Sequence, residues 1–196
     1  TISGKTAVMI GNTDTCTTNG KATGAAGYLQ TKWQDLGGWD ETCVSYPGFI
    51  YGGVQSWNSD VQHDIVPYLN RYVFQDEAGL MAQISMELGD FYHFDPKHWY
   101  NGNGIIRTLY YDQLANEDHD LDFCNLPPLD MEYFDKVGAH VAKYVALLEQ
   151  TDMRCDDAEL LKAEYKLNMR LLQHGVMLGK YKLLGHTDRA KAWELL

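Results

Sequence analysis

With 196 residues, 45% of them hydrophobic and 22% charged, the chain has apolar material for a core but no run near the ~18 apolar residues of a membrane span, which excludes a membrane-spanning helix. A formal charge of −11 argues against a nucleic-acid partner, since phosphate binding calls for clustered Lys and Arg. Cys16, Cys43, Cys124 and Cys155 lie far apart with no Cys-x-x-Cys pair, so zinc-ribbon and dithiol redox patterns are excluded and free buried thiols are expected.

Along the chain, Gly24 to Trp33 reads as a buried strand leading to Asp35, and Gly52 to Trp57 as a second strand ending at Asn58. Between them lie a turn-rich loop at Gly37, Gly38 and Trp39 and a short helix opened by Pro47. Together they predict a β/α/β unit, a fold element that carries functional side chains at the carboxyl ends of its strands. Trp33, Asp35 and Trp57 occupy those ends. Two indole faces beside a carboxylate suit a sugar ring, which needs an apolar face to stack on and an acceptor for its hydroxyls.

After Asn58 the apolar period changes from 2 to about 3.6. Val61, Ile65, Leu69, Tyr72 and Val73 predict a helix bent near Pro67. Leu80, Met81, Ile84 and Leu88 predict another, with Asp76 as its N-cap and Gly89 past its end. A short helix is expected from Ile105 to Leu114. Met131, Phe134, Val137, Val141, Tyr144, Val145 and Leu148 then mark a stronger one. The last runs from Asp157 to Leu184, with Leu161, Tyr165, Met169, Leu172 and Val176 on its face, widened by Leu160, Leu167, Leu171 and Leu178. These two long helices are expected to pack antiparallel across a turn at Gln150 to Asp156.

Asp90, His93, Asp95 and His98, with His119 further on, lack any recognised ligand spacing, so they read as polar surface and neither metal nor cofactor is expected. No Ser sits in a Gly-x-Ser-x-Gly elbow. His140 and His174 fall in long helices and read as packing residues.

The amino-terminal run also resembles a known family. Gly24, Ala25, Gly27, Tyr28, Leu29, Thr31, Trp33, Asp35, Gly37 and Trp39 form one matching block, and Ser45, Tyr46, Pro47, Gly48, Phe49, Tyr51, Gly52, Ser56, Trp57 and Asn58 a second. Both are similar to the last two barrel strands of glycoside hydrolase family 20, the β-N-acetylhexosaminidases, in a bacterial branch. Lys32, Gln34 and Gly38 depart from that branch, which has Asp, Gly and His there. The resemblance implies an α/β to mainly α fold, with residues 1–58 the terminal strands and helix of a (β/α)8-type barrel and residues 59–196 a carboxyl-terminal helical domain. It also implies a retaining, substrate-assisted hydrolase in which the acetamido oxygen of the sugar is the nucleophile. Trp57 would wall the acetamido pocket, Trp33 would line it, and Asp35 would accept bonds from sugar hydroxyls. The family's acid is a Glu directly after an Asp at a strand end. Asp76-Glu77 and Asp40-Glu41 are the pairs that could mimic it, and both read as helix-end or solvated charge. This chain is therefore expected to supply part of the binding wall for an N-acetylhexosamine-containing glycan, the acid lying on a missing amino-terminal part of the enzyme. The other reading is a non-catalytic helical interaction or scaffolding domain. Two orphan strands would in either case call for pairing with another chain or for a homodimer.

Overall fold

The computed structural model describes residues 2–33, 38–98, 102–111, 126–185, 188 and 190–191. Among them are seven α-helices and no strand, which corrects the expected barrel elements: the fold is all-α. In chain order these are α1 (Thr6–Ala22), α2 (Tyr46–Trp57), α3 (Val66–Tyr68), α4 (Met81–Glu87), α5 (Gly104–Ile106), α6 (Met131–Leu148) and α7 (Ala158–Gly185). α3 runs on into a π-helical turn at Leu69–Phe74, α4 into a 3-10 stretch at Leu88–Phe94, and α5 into a second π turn at Arg107–Tyr111.

Both expected strands fail for physical reasons. Residues 26–33 carry no helix and no ladder: their main chain makes no backbone hydrogen bond among the described residues. Side-chain exposure nonetheless alternates strictly from Tyr28 to Trp33, the even positions turned inward and the odd ones outward. This is the period-two habit of an extended chain. A strand needs a partner for its N–H and C=O groups, and this segment has none among the described residues. Gly52 to Trp57, the second expected strand, is the carboxyl half of α2. Pro47 opens that helix in its first turn, where a missing N–H costs nothing, and Tyr51 and Gln55, four residues apart, share its buried face.

The helical portion matches its expected pattern more closely. α6 buries Tyr133, Phe134, Val137, Val141, Tyr144 and Leu148, and α7 buries Leu161, Tyr165, Met169, Leu172 and Val176. They run antiparallel, with Lys180 against Asp135 at one end and Lys162 and Lys166 against Glu149 at the other. Leu160 and Leu167, expected to widen the α7 face, are exposed instead. Pro67 opens α3 rather than bending a longer helix, and Val61 lies outside any helix and exposed. The N-cap of α4 is Leu80 rather than Asp76, though the Asp76 carboxylate accepts the N–H groups of Leu80 and Met81 at 2.8 Å and also that of Asp152 at 2.6 Å in the α6–α7 turn. An isolated antiparallel bridge between Asp76 and Met153 fastens the same junction.

One buried cluster runs from Ile2 through Tyr51, Phe74, Phe91 and Ile105 to Val176. Hydrogen bonds also cross position 58: Tyr165 donates to the Cys43 carbonyl at 3.3 Å and Asn168 to the Ile2 carbonyl. Cys43 is buried, and burial first, then Glu164, pushes its thiol well up. Cys16 is exposed, against expectation, Cys155 is half-buried, and both are free. Cys124 and the segment 112–125 lie outside the described residues.

Candidate functional site

The extended arm of residues 26–33 lies across α2. Tyr28 donates its hydroxyl to the Gly52 carbonyl, and the Gln30 amide oxygen lies 3.5 Å from the Thr13 hydroxyl of α1. Both side chains approach α2 where it has no side chain of its own. A Cβ on Gly52 would stand 2.7 Å from the Tyr28 hydroxyl oxygen and 3.0 Å from Oε1 of Gln30, so glycine is what admits the arm. Lys32 ends this inward row. Its ammonium pairs with the Asp40 carboxylate at 3.1 Å and donates to the carbonyls of Asp40 and Glu41 at 3.4 and 3.3 Å. The cation that departs from the family pattern is thus neutralised locally by a largely buried carboxylate.

The outward row carries the indole. Trp33 is 82% exposed and Leu29 84%, and Trp33 Nε1 donates to the Thr31 hydroxyl at 3.1 Å, which keeps both on one side. Trp57, the last residue of α2, is 93% exposed. Asp35 lies outside the described residues. Trp39 stands edge-on to Tyr110, with ring centroids 5.7 Å apart. The structure therefore places Trp33 and Trp57 on the surface, in neither case as core. Neither candidate acid pair is free for chemistry. Asp76 is committed to backbone amides, Glu77 is exposed beside Arg154 at 3.6 Å, and Glu41 lies 3.4 Å from the Asn168 amide.

A second polar constellation gathers around Asp95, which was expected as polar surface and is instead half-buried. Gly104 donates its N–H to both Asp95 oxygens at 3.1 and 3.2 Å, Asn103 caps α5 through the Ile106 N–H at 3.0 Å, and Lys5 sits 4.9 Å above the Tyr92 ring. Burial raises the Asp95 carboxyl, opposed by the Tyr133 hydroxyl, the Gly104 N–H, Lys5 and His98. Burial lowers the Lys5 ammonium, opposed by Asp95. Burial, then the Asp95 charge, drives the Tyr133 hydroxyl far up. An acid and a base moved toward each other in this way can mark a reactive site, but the cleft beside them, lined by Asp95, Lys97, Gly104, Arg107 and Leu129, is shallow. Its contacts join the chain's first residues to α5 and α6, a structural task. The Asn-Gly-Asn-Gly run at 101–104 was the sequence signal for a cap here. Among the described residues no group of His, Cys, Asp and Glu is arranged to hold a metal ion.

The fold and site thus define an all-α protein with an aromatic-bearing arm seated on a glycine-rich helix. No protein family, curated protein sequence or solved structure matches this chain.

Proposed function

We propose that this chain is the carboxyl-terminal part of a retaining β-N-acetylhexosaminidase-like glycoside hydrolase and contributes aromatic surface to its sugar site, without the acid. The exposure of Trp33 and Trp57 carries the reading: side chains of this size, left in solvent with no ring contact among the described residues, are free to stack on a sugar face. The motif blocks around them support it, and Lys32 does not oppose it, because its charge is met by Asp40. General acid catalysis needs a positioned acid, and both Asp-Glu pairs are otherwise engaged. The chain by itself is therefore expected to leave a chromogenic N-acetylglucosaminide intact.

Tryptophan fluorescence during titration with an N-acetylglucosamine oligosaccharide tests the binding half. A saturable shift that Trp57→Ala or Trp33→Ala abolishes supports the wall. An unshifted spectrum at millimolar sugar, or turnover that Glu77→Gln removes, overturns the assignment. The all-α fold with exposed Leu29, Trp33 and Trp57 favours one other reading, a non-catalytic interaction domain. It would show as a protein partner bound through the same side chains with no response to sugar.

A further inference from the structure

We infer that the outward face of α7 between Glu159 and Arg170 is the seat of a two-fold, antiparallel self-contact, its occupant a second copy of this chain. The inference does not rest on the sugar reading, and it needs none of the strand pairing that the sequence suggested. α7 buries Leu161, Tyr165, Met169 and Leu172, yet Leu160 and Leu167 on its other side are 58% and 51% exposed. Ala163, also exposed, lies between them. Spacings of three and then four residues put all three on one stripe of the helix.

Charge says what covers the stripe. Glu159 and Arg170 stand at its two ends, both exposed. Neither joins an ion pair among the described residues, whereas Lys162 and Lys166 are both held by Glu149. Their separation of eleven residues makes about three turns and about 16 Å of rise, so acid and guanidinium lie along the same edge of the stripe. A two-fold axis level with Tyr165, perpendicular to the helix, turns a second α7 antiparallel and sets Ala163 of each copy against Leu167 of the other. The same operation brings Glu159 of each beside Arg170 of the other, one ion pair at either end of the seam. A parallel pair would set like charges together. An isologous contact needs one patch that complements itself, and the run from Glu159 through Leu160, Ala163 and Leu167 to Arg170 does so. Two chains of formal charge −11 repel overall and meet most readily where that charge is least. α7 is such a place, with five Lys and Arg against two Glu. Three apolar side chains a copy make a small seam, in the range of transient contacts, so the dimer is expected to form at high concentration and to dissociate on dilution.

Sedimentation velocity of the full chain from micromolar to millimolar concentration is the test. The parent chain is expected to pass from monomer to dimer across that range. Leu167→Ser is expected to hold it monomeric throughout, with the melting temperature of the dilute protein unchanged, since that side chain is half in solvent. Glu159→Arg and Arg170→Glu are each expected to weaken association by about tenfold, because each leaves like charges facing at both ends of the seam. Combined in one chain they restore the pairing with its sense reversed, and association is expected to return to near the parent's strength. Four results would each overturn the inference: a chain that stays monomeric at millimolar concentration, association that Leu167→Ser leaves intact, charge reversals whose effects add rather than cancel, or assembly that runs past the dimer, the mark of a head-to-tail contact.

Discussion

The α6–α7 hairpin and the layer formed by α1, the arm and α2 are held together by different interactions. In the hairpin, Val137, Val141 and Leu172 are fully buried and Tyr165 nearly so, and one continuous apolar seam holds two long helices. In the amino-terminal layer α1 buries Thr6, Thr13 and Thr17, and its Asp14 accepts from the Tyr51 hydroxyl at 2.5 Å and the Gln55 amide at 3.0 Å. One region is closed by area removed from water, the other by hydrogen bonds that only replace those once made to water. Burial contributes more per residue, whereas a hydrogen bond's net contribution is modest. Among large apolar side chains the hairpin leaves only aliphatic ones such as Leu160 and Leu167 outward, while the layer leaves Leu29 and the two indoles of Trp33 and Trp57 facing solvent.

Substitutions in the two regions should separate them. Leu172→Ala, at a fully buried site, should lower unfolding free energy by about 2–5 kcal/mol through lost transfer energy and a residual cavity, read from urea midpoints at unchanged slope. A cost near zero would deny the hairpin its role. Tyr51→Phe keeps the ring and removes the bond to Asp14. It should cost about 1.5 kcal/mol, the low end for a bond to a charged group. A loss equal to that of Leu172→Ala would erase the distinction between the regions.

The helical half also holds buried polar groups. Asp90 has a buried oxygen with no hydrogen-bond partner, and burial raises its carboxyl, a rise opposed by His93 and His140 and aided by Glu87. A carboxyl whose folded pKa lies above its unfolded value of about 3.9 favours folding when protonated. That contribution is complete below the unfolded value and is lost as pH rises through the folded one. Asp90→Asn should thus be more stable than the parent at pH 7. The gap should close toward pH 3 in paired urea titrations. A gap that widens on acidification would reverse the sign and remove Asp90 as a burdened site.

What the sequence disclosed divides along the same line. α6 and α7 were legible because their apolar residues recur at helical spacing and bury where that spacing puts them, with Leu160 and Leu167 the exceptions. α2 was legible in its opening at Pro47 but not in its carboxyl half, because the face it turns inward carries Gly48, Gly52 and Gln55 beside Tyr51, residues that give no apolar period, and a six-residue run from Gly52 to Trp57 fits a strand as readily as a helix. The arm, expected as a buried strand, is neither a strand nor buried, because a ladder is a property of two segments and no local pattern shows whether the second is there. The Asp95 constellation joins Lys5, Asn103 and Tyr133 from three distant parts of the chain, and no local pattern announces that. For the candidate site, the identity of Trp33 and Trp57 was readable, and their exposure was not.

That exposure yields the smallest and most discriminating effect. Trp57 ends α2 with 93% of its surface in solvent, and the Asn58 N–H that closes the helix bonds to the Val54 carbonyl at 3.3 Å without involving the indole. Trp57→Ala should therefore change unfolding free energy by no more than about 0.5 kcal/mol, the range of surface substitutions, with the helical circular dichroism intact. Trp33→Ala should behave alike, its one bond being to exposed Thr31. Both are large apolar side chains held in water at an energetic disadvantage that the fold does nothing to relieve. If either variant loses 2 kcal/mol or more, the indole is a packing residue and its surface position has been misjudged. If both are neutral to stability while the fluorescence response to the N-acetylglucosamine oligosaccharide disappears, the layer's weak closure acquires a reason: it keeps two aromatic faces available to a ligand.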